Sequence, residues 1–141
     1  MSVPVQTSLA GLLAQAERRV ARRIESALRT ADINAEQWRV LTLLADGTGH
    51  PMSEIAGFAM VPAPTLTKII DRLIDRTLVY RRVDVEDRRR VLVFLSARGA
   101  DLFHLVGTDV AVAERELADV LGDRDAAHLT ELLSRLLDRL S

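Results

Sequence analysis

Eight of the nineteen lysine and arginine residues of this chain lie within residues 68–90, where only five acidic residues accompany them. The whole chain has a net charge of −1, so this segment is a local positive region on a nearly neutral protein. Salt screening confines each charge to about 10 Å, and a local region is therefore enough to attract a polyanion. The distribution indicates contact with nucleic acid. A solvated charged surface remains the alternative, since charged hairpin edges also deter aggregation.

The positive region is densest in a polar turn, residues 84–90, between two short apolar segments. Residues 79–83 combine apolar and basic side chains, and residues 91–95 are almost all apolar. Both patterns are typical of short strands, so the sequence predicts a β-hairpin, or wing, with a charged tip. Arg81 and Arg82 point to opposite faces of the first strand, so at most one of them faces DNA.

Arg89 is the strongest candidate for a DNA-reading residue in the wing. A narrow minor groove concentrates negative potential, and a guanidinium group is weakly hydrated enough to enter it. We expect Asp87 to buttress Arg89 by bidentate pairing across the turn. Arg88 and Arg90 are expected to meet phosphates.

A helix-turn-helix unit is predicted directly before the wing. Ser53 can cap a short helix over about residues 54–58, and a tight connection leads to a longer helix over about residues 63–76. Pro64 fits the first turn of the longer helix, where its missing N–H costs nothing. The buried stripe of this helix is expected to consist of Leu66, Ile69, Ile70, Leu73 and Ile74.

The exposed face of the longer helix carries the candidate recognition residues. The major groove admits one helix, and small residues at its tip allow the backbone to approach the base edges. The first-turn residues could contact a thymine methyl group, and the later ones bases or phosphates. The alternative is the solvated face of an ordinary amphipathic helix. The candidates are Ala63, Pro64, Thr65, Thr67, Lys68 and Arg72.

Flanking helices are predicted on both sides of this unit. Apolar residues recur at helical spacing over residues 9–28, Asn34 and Gln37 form a capping box for a second helix, and Ser96 can cap a long helix to about residue 120. Gly122 and Asp123 are expected to end that helix and cap the last one. The fold class is mainly α with a small β-hairpin wing, in the order ααααββαα.

Three regions follow from this order. A dimerisation helix is expected in residues 1–32, a winged helix-turn-helix DNA-binding domain in residues 33–95, and further dimerisation helices in residues 96–141. The flanking helices carry more apolar surface than one small domain covers, so a homodimer is expected. The winged module would thus be embedded in a helical dimerisation base.

The chain resembles the MarR family (multiple antibiotic resistance regulators) over nearly its whole length. The matching segments are EQWRVLTLL, MSEIA, PTLTKIIDRLIDRTLVYRR and DRRRVLVFLSARG. The family's wing pattern, Asp-x-Arg, five residues and Leu-Thr, has its counterpart here in Asp87, Arg89 and Leu95-Ser96. The resemblance implies a homodimeric transcriptional regulator, by default a repressor, that binds a near-palindromic operator in double-stranded DNA.

The resemblance also implies a cleft for a small aromatic or phenolic effector, with Trp38 and His104 as candidate residues. The alternative for Trp38 is a core residue that staples the start of a helix. The chain departs from the family pattern at Thr77, where glycine is usual, so we expect the recognition helix to end differently. It also has Val61-Pro62-Ala63-Pro64 where a serine is common, which leaves fewer hydroxyl groups for DNA contact.

Other classes of function find little support in the sequence. There is no cysteine, and the three histidines lack metal-ligand spacing with any acidic partner, so no metal or cofactor is expected. No catalytic motif and no apolar run of about 20 residues is present, which argues against an enzyme and against a membrane span. Without a signal-peptide pattern, the cytoplasm is the expected compartment. Two alternatives remain open: a winged-helix module for protein–protein contact, and a DNA-binding protein without an effector.

Overall fold

The computed structural model describes residues 7–141, so the first six residues of the predicted segment 1–32 lie outside the described part. Helices dominate, and they surround one small sheet. In chain order the elements are α1 (Leu9–Leu28), α2 (Ala35–Leu44), β1 (His50–Pro51), α3 (Met52–Ala59), α4 (Ala63–Asp75), β2 (Val79–Val83), β3 (Val91–Leu95), α5 (Ala97–Leu121) and α6 (Asp123–Leu140), and a 3-10 turn at Arg29–Ala31 follows α1.

The sheet is antiparallel with strand order β1-β3-β2. β2 and β3 have the predicted bounds, and their register places Val79 opposite Leu95. β1 was not predicted: it pairs His50 with Val93, within a stretch that the sequence identifies only as a break between helices. Two residues are too few to show a strand period, so only the pairing with β3 reveals this strand. The observed order is therefore ααβααββαα.

Two of the predicted helix starts are confirmed. The Asn34 side chain accepts a hydrogen bond from the Gln37 N–H at 2.8 Å, and Gln37 Oε1 accepts one from the Asn34 N–H at 3.0 Å. This capping box starts α2. Ser96 Oγ accepts a hydrogen bond from the Gly99 N–H at 2.9 Å and starts α5.

Two other predicted caps are wrong. α3 begins at Met52 after an extended Pro51, and Ser53 lies inside its first turn. Pairing of Pro51 in β1 fixes the extended conformation there, so the helix starts directly after the strand. α6 begins at Asp123 with Gly122 as the residue before it, so Asp123 is the first helical residue rather than the cap. At that position the Asp123 carboxylate interacts favourably with the positive end of the helix dipole.

The end of α4 departs from our expectation at Thr77. Thr77 has φ of +58°, the left-handed conformation that glycine usually supplies. Its N–H donates to the Ile74 carbonyl at 2.8 Å, and the next N–H, of Leu78, donates to the Leu73 carbonyl at 2.9 Å. The helix thus ends as a glycine would end it, at a cost of roughly 1–2 kcal/mol for a residue with a Cβ. Ser96 Oγ donates to the Thr77 carbonyl at 2.6 Å and holds the turn against the start of α5.

The core joins the helix-turn-helix to the sheet and to the end of α1. Leu28, Leu41, Ile55, Ile70 and Val93 come from five different elements and are all fully buried. Each such side chain contributes about 1.5–3 kcal/mol relative to full exposure. By contrast, α6 has no buried residue along its 18 positions. The core therefore supports α4 and the hairpin firmly, whereas α6 lies outside it.

Candidate nucleic-acid interface

α4 buries one face and leaves the opposite face to solvent. Leu66, Ile69, Ile70 and Leu73 are buried, as predicted, and Ile74 is half-buried. Pro62 precedes the helix in an extended conformation, and no side chain caps its N-terminus in the described structure. Thr65 is half-buried, and the exposed candidates are Ala63, Pro64, Thr67, Lys68 and Arg72. The candidates therefore share the tip and the outer surface of one supported helix.

The turn between α3 and α4 is held by a residue that sequence reasoning missed. Arg39 of α2 donates from Nε to the Ala59 carbonyl at 3.0 Å, at the end of α3. Met60 follows in the left-handed conformation, and the Val61 N–H donates to the Ala56 carbonyl at 3.1 Å. Arg39 thus anchors the turn that places the tip of α4. No local pattern marks it, because donor and acceptor are twenty residues apart.

The wing turn is closed by its own backbone and by short acidic side chains. The Asp84 N–H donates to the Arg90 carbonyl at 2.8 Å, and the Arg90 N–H donates to the Asp87 carbonyl at 2.9 Å. Asp84 Oδ1 also accepts a hydrogen bond from the Glu86 N–H at 3.0 Å. Arg88, Arg89 and Arg90 are all exposed on this turn. The three arginines are thus presented together at the wing tip.

The predicted bidentate pairing of Asp87 with Arg89 is wrong. Asp87 Oδ1 accepts a hydrogen bond from the Arg89 backbone N–H at 3.1 Å, and Arg89 Nε lies 3.6 Å from the same oxygen. An aspartate side chain is short enough to reach the N–H two residues on, and that local bond holds the carboxylate against the turn backbone. Asp87 therefore shapes the turn backbone, and the Arg89 side chain stays 96% exposed.

The two arginines of β2 have different partners. Arg81 Nη2 donates to Asp71 Oδ1 of α4 at 2.6 Å. The Arg82 guanidinium lies 5.3 Å from the ring centroid of Tyr80, and that ring stacks on Phe94 with centroids 5.4 Å apart. Arg81 is thus the β2 arginine that faces α4. This link between α4 and β2 depends on tertiary structure, and no sequence pattern indicated it.

Comparison with known proteins agrees with this geometry. The model of the MarR family matches residues 33–91. The HTH-type transcriptional regulator FarR of Neisseria gonorrhoeae is 31% identical over 137 residues, which cover 95% of this chain and 94% of FarR. The chain belongs to the MarR family.

Two further matches extend over most of this MarR-family chain. The homoprotocatechuate degradative operon repressor of Escherichia coli is 25% identical over 130 residues, covering 92% of this chain and 88% of that protein. NadR, in its crystal structure in complex with 4-hydroxyphenylacetate, is 30% identical in sequence to this chain. The two structures superpose with a TM-score of 0.80, and the match covers 96% of this chain and 97% of the NadR chain. The chain is thus a MarR-family transcriptional regulator, and the predicted winged helix-turn-helix fold is confirmed.

The two residues of the candidate effector cleft, Trp38 and His104, are connected by the aromatic side chain of Phe103. The half-buried Trp38 stacks on Phe103 of α5 with centroids 4.8 Å apart, and Phe103 meets the edge of His104 at 5.9 Å. Phe103 and His104 line an open depression of about 490 Å³, whose far end is formed by Arg115. Trp38 packs against the core, while His104 is exposed. Phe103 was not among the residues singled out from the sequence, because its position on α5 becomes informative only with Trp38 beneath it.

A second depression, of about 410 Å³, lies beside the C-terminal half of α4. Arg72 and Asp75 line it together with Arg29 from the end of α1. Arg76 on its edge donates to the Asp32 carbonyl at 2.8 Å and so ties α4 to the segment before α2. Arg72 therefore borders the segment that joins α1 to α2.

Two acidic side chains flank His50. His50 is 8% exposed, with Nδ1 2.9 Å from Glu54 Oε1 and Nε2 2.8 Å from Asp46 Oδ2. Burial lowers the pKa of His50, but the hydrogen bonds and negative charges of Glu54 and Asp46 outweigh burial and raise it above 6.5. The pKa of Asp46 falls below 3.8, chiefly because its carboxylate accepts the Thr48 N–H. The network joins the α2–β1 turn to α3.

Other kinds of site find no support in residues 7–141. None of the helices in that range is long and apolar enough to cross a membrane. No group of three or more histidine, aspartate or glutamate residues there has an arrangement that could hold a metal ion. The contacts of His50 with Asp46 and Glu54 form an ion-pair network.

Proposed function

We propose that this regulator acts as a homodimeric repressor on a near-palindromic operator. One observation carries the proposal: the same core supports both the exposed helix α4 and the arginine-tipped wing. In this arrangement α4 enters the major groove and the wing reaches the adjacent minor groove. Because its target is chromosomal DNA, the protein would work in the cytoplasm.

The tip of α4 is suited to close approach rather than to hydrogen bonding. Ala63, Pro64 and the Thr65 methyl group offer an apolar surface for a thymine methyl group. Thr67 donates its hydroxyl hydrogen to the Ala63 carbonyl at 3.2 Å, so toward DNA this hydroxyl serves as an acceptor. Lys68 and Arg72 supply positive charge for bases or phosphates. The uncapped N-terminus of α4 also favours a phosphate nearby.

In the wing, Arg89 is assigned to the minor groove, with Arg88 and Arg90 on the flanking phosphates. In the described part of the protein the Arg89 guanidinium makes one weak ion-pair contact, so little interaction energy is lost when it moves into the groove. Asp87 contributes by fixing the turn from which Arg89 extends. Phosphate contacts would supply most of the affinity and make it strongly dependent on salt, while helix and wing supply specificity.

Dimerisation is supported by apolar side chains that the protomer leaves exposed. On α6, Leu137 is 68% and Leu140 73% exposed, and on α1 Leu9 is 68% exposed. We assign residues 1–32 and 96–141 to the dimerisation base and residues 33–95 to the DNA-binding domain. An obligate interface of about 2,000 Å² or more would cover this surface. A two-fold axis then places the two α4 helices about one DNA turn apart.

For the effector we propose a small aromatic or phenolic anion in the cleft beside Trp38, Phe103 and His104. NadR, whose structure contains 4-hydroxyphenylacetate, supports this ligand class by similarity. The aromatic side chains offer stacking surface, and Arg115 at the far end of the depression offers a charge for a carboxylate. Binding would favour protomer arrangements whose α4 spacing no longer fits successive major grooves.

The deciding experiment selects duplexes of about 30 base pairs from a random pool with the purified full chain. We expect a near-palindromic sequence that binds more tightly than a shuffled duplex, with an affinity that falls steeply as salt rises. Absence of any preferred sequence would favour the protein–protein module instead.

A panel of hydroxyphenylacetates, hydroxybenzoates and matched aliphatic acids, added to the complex of protein and selected duplex, tests the effector. Release by none of them would favour the effector-independent protein, and a reporter gene behind the selected sequence tests repression.

A further inference from the structure

The ion pair between Asp71 and Arg81 lies between α4 and β2, the two elements that flank the proposed DNA-binding surface. Arg81 Nη2 is 2.6 Å from Asp71 Oδ1, with the side chains 41% and 55% exposed, respectively. Asp71 comes three residues after Lys68, so the two share the outer face of α4. A carboxylate is thus present where the helix faces a polyanion.

We propose that Asp71 is a specificity-determining residue that holds Arg81 away from DNA phosphates. This inference rests on the proposed function. Binding to DNA of the wrong sequence depends almost wholly on contacts between cations and phosphates. Arg81 paired with Asp71 forms a neutral unit, so it adds little to such contacts. Specificity is a difference between two affinities, and weakening the wrong complex increases it as effectively as strengthening the right one.

The location of the pair favours this role over a role in folding. Exposed ion pairs stabilise proteins very little, because water screens them and two long side chains must be ordered. Asp71 and Arg81 are both exposed, while the contact between α4 and β2 is already secured by buried Leu73 and Val79. Neutralising Asp71 should therefore leave the protein folded and change mainly what Arg81 can reach.

Asp75 provides a matched control on the same helix. It is also exposed, it lies one helical turn after Asp71 on the same face, and it lines the depression beside Arg72 and Arg76. Asp75→Asn removes the same charge from the same surface without releasing an arginine of β2. Any general rise in DNA affinity from lower negative charge will appear in both variants, and only the effect on Arg81 is specific to Asp71→Asn.

The test measures dissociation constants for the selected duplex and for a shuffled duplex of equal composition, over a range of salt concentrations. The proteins are wild type, Asp71→Asn, Asp75→Asn, Arg81→Gln and the Asp71→Asn/Arg81→Gln double variant. We expect Asp71→Asn to bind the shuffled duplex several-fold more tightly and to lose discrimination between the duplexes. Its plot of log affinity against log salt should steepen by about 0.9 for each additional phosphate that the protein neutralises. In the double variant this tighter binding should disappear.

Two results would overturn the inference while leaving the proposed function intact. One is an Asp71→Asn protein that behaves like Asp75→Asn on both duplexes. The other is tighter binding of the shuffled duplex that persists in the double variant, since its source would then not be Arg81. If wild-type protein itself does not distinguish the selected duplex from the shuffled one, the proposed function fails and this inference fails with it.

Discussion

Arg89 extends from the wing turn with 96% of its side chain exposed and one ion-pair contact, 3.6 Å from Asp87. Entry into a minor groove would therefore break no strong bond within the protein. We expect Arg89→Ala to weaken binding to the selected duplex by about 1–3 kcal/mol, measured by fluorescence anisotropy. Arg124→Ala on α6 removes an exposed arginine from outside α4 and the wing and should have little effect. Equal affinities for Arg89→Ala and wild type would reject the assignment to the minor groove.

Two substitutions of Asp87 can distinguish its hydrogen bond to the Arg89 backbone from its ion pair with the Arg89 side chain. Asparagine retains the oxygen that accepts the Arg89 N–H but loses the charge, whereas alanine loses both. If Asp87 acts by shaping the turn, Asp87→Asn should bind DNA nearly as tightly as wild type. Asp87→Ala should bind less tightly, because the turn backbone is then free to vary. The same anisotropy titration compares them, and equal losses in both variants would favour the ion pair instead.

His50 makes the stability of the protein depend on pH. Its pKa is raised in the folded state, so its contribution to stability is fully present below pH 6.5 and is lost as pH rises through the folded pKa. Asp46 acts in the opposite direction: its pKa is lowered, so its contribution is present above pH 3.8 and is lost as pH falls through the folded pKa. The network as a whole should stabilise most between these limits.

Chemical denaturation at a series of pH values tests the His50 network. We expect the free-energy difference between wild type and His50→Gln to be largest in mildly acidic solution and to shrink toward alkaline pH. Glu54→Gln removes one carboxylate while keeping a hydrogen-bonding oxygen and should reduce the pH dependence without abolishing it. A difference that stays constant across the range would show that His50 contributes through packing alone.

At the scale of single elements, the end of α4 stores backbone strain that a substitution can remove. Thr77 is β-branched and has φ of +58°, a conformation that disfavours any side chain and β-branched ones most. We expect Thr77→Gly to stabilise the protein by about 1 kcal/mol, because relief of the strain exceeds the entropy that glycine adds to the unfolded chain. The midpoint of chemical denaturation measures this change in stability. Thr67→Gly in the interior of α4 is the control and should destabilise, and a loss of stability in Thr77→Gly would contradict the expected strain.

Elements whose signal is local could be predicted, and those that depend on a distant partner could not. The β-rich segment of β2 and the capping box at Asn34 are properties of a few consecutive residues, and the structure confirmed the strand, with its predicted bounds, and the cap. β1 exists only because β3 lies beside it. Thr77 adopts a conformation that its own side chain disfavours, so no propensity argument finds it, although the turn is fixed on both sides by buried Leu78 and by Ser96.

The same distinction separates the parts of the candidate site. The exposed face of α4 follows from helical periodicity, and the wing arginines follow from the polar turn between two strand-like segments. The structure brings them onto supported, neighbouring elements. Arg39 at the α3–α4 turn and the contact of Asp71 with Arg81 join residues that are ten or more positions apart. Phe103 likewise matters only because Trp38 lies beneath it. Such pairings are set by how elements pack, and a single sequence carries no local trace of them.

At the scale of the whole molecule, α6 is the element that the protomer explains least. It has no buried residue, and its leucines recur along one face, so a large apolar surface remains open to solvent. Burying such a surface stabilises by about 25 cal/mol for each Å² removed from water. A second copy of the chain provides an equivalent apolar surface, and two-fold pairing would also set the distance between the two α4 helices.

Acidic residues at the end of α6 should therefore abolish pairing and operator binding together. We expect the double variant Leu137→Asp/Leu140→Asp to sediment at the protomer mass of 15.6 kDa, whereas wild type should sediment at twice that mass. Its binding to the selected duplex should fall steeply, since one α4 contacts only one half-site. Val85→Asp, at a 94% exposed position of the wing turn, adds an acid far from α6 and should leave the mass unchanged. A double variant that still sediments as a dimer would place the interface elsewhere, and a monomeric variant with full operator affinity would remove pairing from the mechanism.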